Sequence, residues 1–333
     1  MNLPAFLRTL AYRSVGFAEA QASSWWLRFG GEGPGLVSFL FHRLCNHPSA
    51  YDRHEIHPQQ KTSVNHFREF IEYMLDAGYT FVRPQDLPAC RSKPGRYAII
   101  TFDDGYFDNL LAVPVLEEFD VPAVFFISTR HVLEQKAFWS DVAYRHIMRQ
   151  PGGPDRILST FAELAALPTE QIEKRLIEQF GAECLRPLGD LDRPMTSAEL
   201  AAFSRHRLVV IGNHTANHAI LTLYPEDEIK TQIAVAQQHL LETTGQLPRT
   251  IAYPAGQFDA RVVELTRQAG LSFGFTGVAS RWGARELAEG DFLMIPRLAL
   301  WGDLSIRRQC QQARTNWQWY PKLKRGAGRI AGW

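Results

Sequence analysis

The chain has 333 residues, 45% of them hydrophobic and 21% charged, with a net charge of +1. That is the composition of a globular protein with room for one large core or two modest domains, and it offers no global field for nucleic acid. The four cysteines (Cys45, Cys90, Cys184, Cys310) form no C-x-x-C pair, which excludes zinc-ribbon and thioredoxin-like motifs and suits a reducing compartment.

Residues 1–35 read as an N-terminal extension, with Trp25 and Trp26 and then a glycine-rich stretch. Arg8 and Arg13 interrupt its apolar residues, so no signal peptide is expected, and no run reaches the ~20 apolar residues of a membrane span. A cytoplasmic chain is expected, with peripheral membrane association as the second option. Leu36–Phe41 reads as a buried strand ending at His42. Phe67, Phe70, Ile71, Met74 and Leu75 then trace one face of a helix over 65–78, stopped by Gly78. Tyr97–Phe102 is a second buried strand, running into Asp103-Asp104-Gly105. A helix near 108–119 and a strand at Ala123–Ile127 follow. Strand, helix, strand in this rhythm predicts parallel βα units.

From Trp139 to Met195 the pattern becomes helical, with helices over 141–150 and 168–180 around Pro151-Gly-Gly-Pro154. This reads as an insertion, a lid or substrate wall whose deletion would alter substrate choice more than metal binding. The alternation resumes with a helix at 197–205, a strand at Leu208–Ile211, a helix at 225–243 and a strand at Thr250–Tyr253. Asp259 caps a helix ending at Gly270, and short strands lie near 273–276 and 293–300. Residues 306–333 form a basic and aromatic tail.

Ionisable residues recur where predicted strands end: His42, Asp103-Asp104, and His214 with His218. In parallel βα architectures those ends share one rim, where reacting groups gather. If the segment is helical or tightly turned, His214 and His218 can approach one cation. Asp104 would add a carboxylate, giving the three-ligand set of a catalytic metal with an open position. Asp103 could take the proton as water attacks an amide. Singly, each feature has an ordinary reading as a turn, a cap or a surface pair; the convergence favours a site.

Thr101-Phe-Asp-Asp-Gly105 followed by His214-Thr-Ala-Asn-His218 resembles the NodB-like polysaccharide deacetylases, carbohydrate esterase family 4, from about Leu36 to Leu300. The resemblance implies a distorted (β/α)7 barrel spanning 36–305, interrupted by the helical insertion 139–195. It implies Asp103 as general base, Asp104, His214 and His218 as ligands of one divalent ion of the Zn2+ type, and an N-acetylated sugar as substrate. The family's R-P-P-Y-G motif appears here as Ala252-Tyr-Pro-Ala-Gly256, without its arginine. Tyr253, Pro254, Ala255 and Gly256 are therefore the oxyanion and substrate-binding candidates, with the Ala255 N–H as donor.

The family's general-acid histidine normally sits in a late L-x-H motif, yet no histidine follows His239. Leu40-Phe-His42 has that form at the other end of the chain. Since a barrel closes on itself, a first strand can occupy the place of a last one, and permuted members such as biofilm poly-N-acetylglucosamine deacetylases are similar in this respect. His42 is thus the candidate acid, against a histidine merely satisfied at a strand end. Arg297, in Ile295-Pro-Arg297, could stand in for the missing arginine and hold Asp103 ionised, or make a surface salt bridge.

Trp139, opening the insertion, could stack on a sugar or pack in a core. The tail aromatics and cations (Trp317, Trp319, Tyr320, Lys322, Lys324, Arg325, Arg329, Trp333) could meet a membrane carrying a lipid-linked glycan, or simply close the barrel. His47, His54, His57, His66, His131, His146, His206 and His239 read as surface or packing residues. Two other functions fit the same motifs: hydrolysis of another C–N bond, such as a cyclic ureide, and glycan binding without catalysis. An intact base beside a metal triad speaks against the last.

Overall fold

The computed structural model describes Ser23, residues 25–29 and residues 31–315. The C-terminal segment proposed for membrane contact lies outside the described residues. The frame is a curled, mostly parallel sheet of nine strands: β1 (Gly35–Phe41), β2 (Thr80–Phe81), β3 (Arg96–Phe102), β4 (Ala123–Ile127), β5 (Val209–Asn213), β6 (Thr250–Ala252), β7 (Phe273–Phe275), β8 (Trp282–Gly283) and β9 (Leu298–Ala299). Its order is β7-β6-β5-β4-β3-β1-β8, with β2 on β3 and β9 on β1. Every position of β1 is buried, which is why Leu36–Phe41 is apolar at all positions but Ser38 rather than alternating. β1 runs parallel to β3 in register from Gly35↔Arg96 to Phe41↔Phe102.

The segment Ile295–Ala299 closes the sheet toward a barrel. Ile295 bridges Phe275 of β7, while Leu298 and Ala299 pair with Phe39 and Leu40 of β1. The first strand therefore stands beside the last, and His42 and Arg297 approach the rim from adjacent chain segments. The fold is the (β/α)7 barrel type expected.

Besides two short helical turns, Leu87–Cys90 and Ala284–Glu289, the helices among the described residues are α1 (Val64–Asp76), α2 (Val113–Phe119), α3 (Thr129–Glu134), α4 (Trp139–Met148), α5 (Gly153–Leu164), α6 (Thr169–Phe180), α7 (Ser197–Phe203), α8 (Glu226–Thr244), α9 (Ala260–Gln268) and α10 (Ile306–Thr315). α1 buries Phe67, Phe70, Ile71 and Met74, packing on Phe39, Phe41 and Phe102 of the sheet. The helix expected over 108–119 begins as a 3-10 turn, Phe107–Ala112. Pro114 lacks the N–H that a continuous α-helix would need there, so it sits in the first turn of α2 instead. Pro154 misleads in the same way. It is read as punctuation, yet it occupies the first turn of α5.

α4, α5 and α6 enclose a core of their own, built on Trp139, Val142, Phe161, Leu164, Ile172 and Leu176. This small body is joined to the barrel by buried charge. Arg43, next to His42, pairs with Asp141 of α4 and lies over the Tyr106 ring at 3.6 Å. Asp141 also accepts from Tyr106 Oη at 3.2 Å and from the His57 N–H at 2.8 Å. All four cysteines are buried and free.

Candidate metal centre and active site

Asp103 and Asp104 follow β3 directly. The Asp103 N–H still donates to Phe41 O of β1 at 3.0 Å, and the chain then reverses through Asp104 (φ 79°) and Gly105 (φ 84°). A Cβ at Gly105 would lie 2.9 Å from Ile127 Cδ1, the movable end of that side chain, so it is the left-handed backbone that favours glycine here. Both carboxylates are buried.

His214 and His218 follow β5, and their spacing is realised in tight turns rather than a helix. Asn213 Oδ1 accepts from the Thr215 N–H at 2.7 Å, and Thr215 Oγ1 accepts from the Ala219 N–H at 2.8 Å. Thr215 (φ 65°) and His218 (φ 49°) both adopt left-handed backbone, a strain of about 1–3 kcal/mol each that surrounding contacts must hold.

His214 Nδ1 lies 2.9 Å from Ala252 O. A carbonyl only accepts, so Nδ1 carries the proton and Nε2 presents a bare lone pair. That Nε2 and His218 Nε2 each lie 3.4 Å from Asp104 Oδ1. Asp104 Oδ1 is itself buried with no hydrogen-bond partner. Lone pairs facing one another in a dry site are costly unless a cation or proton lies between them. The donor atoms fall within 4.8 Å of one another, so these residues fit a divalent metal. Burial pushes the His218 imidazole down to about 4, against the pull of Asp104, which leaves it neutral as a ligand must be. Burial raises the Asp104 carboxyl, but the two imidazoles and His42 outweigh it and keep the group well below the usual range.

Asp103 is held differently. Arg297 donates from Nη1 to Oδ1 at 2.7 Å and from Nη2 to Oδ2 at 2.9 Å, and is fixed in turn by Thr276 O at 3.1 Å and Thr101 Oγ1 at 3.2 Å. The Arg297 and Asp103 side chains are 1% and 4% exposed, so this is a buried bidentate pair rather than a surface bridge. Burial alone would raise the Asp103 carboxyl; Arg297 and His214 outweigh it and hold it below the ordinary value.

His42 lies just past β1, close enough to act electrostatically on Asp103, Asp104 and His218. Its Nδ1 is 2.9 Å from Gln60 Oε1. Gln60 Nε2 donates to Leu40 O at 3.1 Å, so Oε1 is the free acceptor and His42 Nδ1 the donor. Asn109 Nδ2 donates to the His42 carbonyl at 2.7 Å. Neither partner stands out in the sequence. Asn109 had a faint signal, as half of an Asp-Asn pair in an apolar run, and Gln60, in a polar loop, had none.

Ala255 has left-handed backbone (φ 54°) in the turn after β6. A Cβ at Gly256 would lie 2.3 Å from Gly277 Cα, so this glycine permits close backbone contact. Pro254 is buried. Two substrate-binding expectations are corrected. Tyr253 is 0% exposed and its hydroxyl donates to Leu293 O at 2.9 Å, so its ring serves packing below the rim. Trp139 is 2% exposed, set against Phe161 inside the insertion, and has no face to offer a sugar.

The sequence matches the polysaccharide deacetylase family model over residues 91–274, more than half of the chain. No curated protein matches it significantly. Among solved structures it is similar to the Streptococcus pyogenes deacetylase PplD in complex with acetate. That match has 16% identity and a TM-score of 0.56, over 84% of this chain and 99% of that one. IcaB from Ammonifex degensii matches at 20% identity and a TM-score of 0.55, over 85% of this chain and 98% of that one. A polysaccharide deacetylase from Bacillus cereus matches at 16% identity and a TM-score of 0.58, over 84% and 69%. At such identities the structural likeness carries the fold, and the family model carries the membership: the chain belongs to the polysaccharide deacetylase family.

Proposed function

We propose that this protein is a metal-dependent hydrolase that removes N-acetyl groups from a glucosamine-type sugar, in a polysaccharide or a lipid-linked glycan. The observation that carries the reading is the pair of imidazole Nε2 atoms converging on the unsatisfied Asp104 Oδ1, beside an Asp103 held by Arg297. A divalent ion on Asp104, His214 and His218, Zn2+ by its mixed imidazole and carboxylate donors, would supply Lewis acidity toward the amide carbonyl and the attacking water.

The chain's own residues then divide the proton work. Asp103, kept ionised by Arg297, accepts a proton from water as the new C–O bond forms. The Ala255 N–H donates to the developing oxyanion. When the C–N bond breaks, its electron pair goes to nitrogen, and protonated His42 gives that nitrogen a proton. The products are acetate and a free amine. The full-length protein should bind about one Zn2+ and release acetate from N-acetylglucosamine oligomers, both lost in Asp104→Ala. Metal binding with ammonia but no acetate from a cyclic ureide would transfer the same site to the other C–N substrate.

Peripheral membrane contact of a cytoplasmic protein completes the proposal. Among the described residues no helix is long and apolar enough to cross a membrane. Trp25 and Phe29 are 64% and 66% exposed with Arg28 alongside. Ser23 Oγ lies 3.1 Å from Thr315 Oγ1, where the chain leads into the basic and aromatic tail. Co-sedimentation with anionic but not neutral vesicles is expected; sedimentation with neither removes the membrane contact.

A further inference from the structure

The two metal-ligand histidines are held by different parts of the molecule. His214 belongs to the barrel: its N–H donates to Ile127 O at 3.1 Å, its carbonyl accepts from Ser128 Oγ at 3.1 Å, and its ring is fixed on Ala252 O. His218, four residues on, is gripped by the insertion and the segment leading into it. Thr169, the first residue of α6, donates from Oγ1 to the His218 carbonyl at 3.3 Å. Its neighbour Glu170 accepts from Asn217 Nδ2 at 3.2 Å and from Tyr224 Oη at 2.8 Å, while Tyr224 Oη receives the Thr169 N–H at 2.7 Å.

Lys136 adds the third hold. Its buried ammonium donates to Asn217 Oδ1 at 2.6 Å and lies 2.8 Å from Glu173 of α6. The ring of Phe138 stands edge-on to His218, with centroids 5.7 Å apart. It also packs on the Tyr106 ring at 4.7 Å and on His131, buried and stacked on it at 3.9 Å. The peptide so clamped is the left-handed one at His218, whose conformation persists only while its surroundings over-determine it.

We propose that the insertion and the segment leading into it are part of the metal centre: Lys136, Thr169, Glu170 and Glu173 are positioning residues that hold Asn217 and the strained His218 against the ion. This rests on the metal-dependent reading of the site and runs against the expectation of a lid or substrate wall whose deletion would alter substrate choice more than metal binding. Outer partners of this kind tune metal affinity by about 10–100-fold.

The test is Zn2+ affinity of the full-length protein by competition with a chromophoric chelator, with the visible absorption of the Co2+-substituted protein as a second readout. Thr169→Val and Lys136→Met are expected to weaken Zn2+ binding about tenfold or more and to shift the Co2+ bands. Thr169→Ser, which restores the hydroxyl, is expected to recover both. Glu170→Ala, at an exposed position, carries the same test with a smaller loss should Lys136→Met fail to fold. Affinities within twofold of wild type and unchanged Co2+ bands in these variants would overturn the inference while leaving the metal site standing. A wild-type chain that binds neither ion removes both.

Discussion

The barrel rim and the insertion contribute to the same site by different physical means. The barrel supplies Asp103, Arg297 and His214, each fixed by a strand-end peptide or a bidentate pair that the sheet cannot alter without losing its ladder. The insertion supplies no ligand; together with the segment leading into it, it supports His218 through side-chain hydrogen bonds and one edge-on ring. The difference separates what sets the chemistry from what sets the affinity. Barrel contacts govern which groups are charged, and insertion contacts govern how well a strained loop keeps its place.

The largest expected effect falls on the barrel side. Arg297→Met leaves Asp103 as an uncompensated buried charge, so stability should fall by about 3–5 kcal/mol. The carboxyl should then rise toward neutrality and cease to act as a base, which costs about 10²–10⁴ in rate. Metal stoichiometry should stay near wild type, because Arg297 touches none of the three donors. Arg297→Lys should recover only part of the activity, since an ammonium cannot reproduce the two-pronged contact. Denaturant melts, acetate release and metal analysis on the same samples check all three. Metal lost along with activity in Arg297→Met would erase the distinction between the two regions.

A smaller effect on activity is expected at the segment that leads into the insertion. Phe138 is buried between His131 and His218, so Phe138→Ala should cost about 3–5 kcal/mol of stability through the cavity it leaves. Metal affinity and activity then separate the two regions more sharply than stability does. Zn2+ affinity should drop, while the activity of the zinc-saturated variant stays within a few-fold of wild type. An activity loss that saturating zinc does not relieve would place Phe138 against the reacting atoms instead.

Legibility in the sequence divides along the same line. Asp103, Asp104, His214 and His218 could be read because strand ends and short motifs fix them locally. The pairing of β1 with β9 could be anticipated from the logic of a closing barrel, and with it the nearness of Arg297 to Asp103. The holds on His218 could not, because Lys136, Thr169 and Asn217 are joined only by tertiary packing across some eighty residues. Tyr253 and Trp139 failed for the complementary reason. An aromatic in a motif or at an insertion boundary looks functional, and nothing local reveals that its face is turned into a core.

The smallest effect concerns the seam between the two regions. Asp108 is buried next to the Arg43–Asp141 pair, and burial pushes its carboxyl up to about 7 despite Arg43. Its acceptor contacts are weak, 3.4 Å from the Leu44 N–H and 3.2 Å from Asn109 Nδ2. Below the unfolded value of ~3.9 both states hold the proton and Asp108 contributes no slope. Between there and about 7 the folded state binds more protons than the unfolded one. Stability therefore falls with rising pH by up to ~1.4 kcal/mol per pH unit, and levels off above that window. Asp108→Asn removes the titration, so its stability measured against wild type in chelator should gain steadily from pH 5 to pH 7 and then stay constant. A difference that is flat across that range would mean Asp108 is already ionised in the fold, with Arg43 shared between two carboxylates. The insertion would then be fastened to the barrel by a triad of charges instead of a pair.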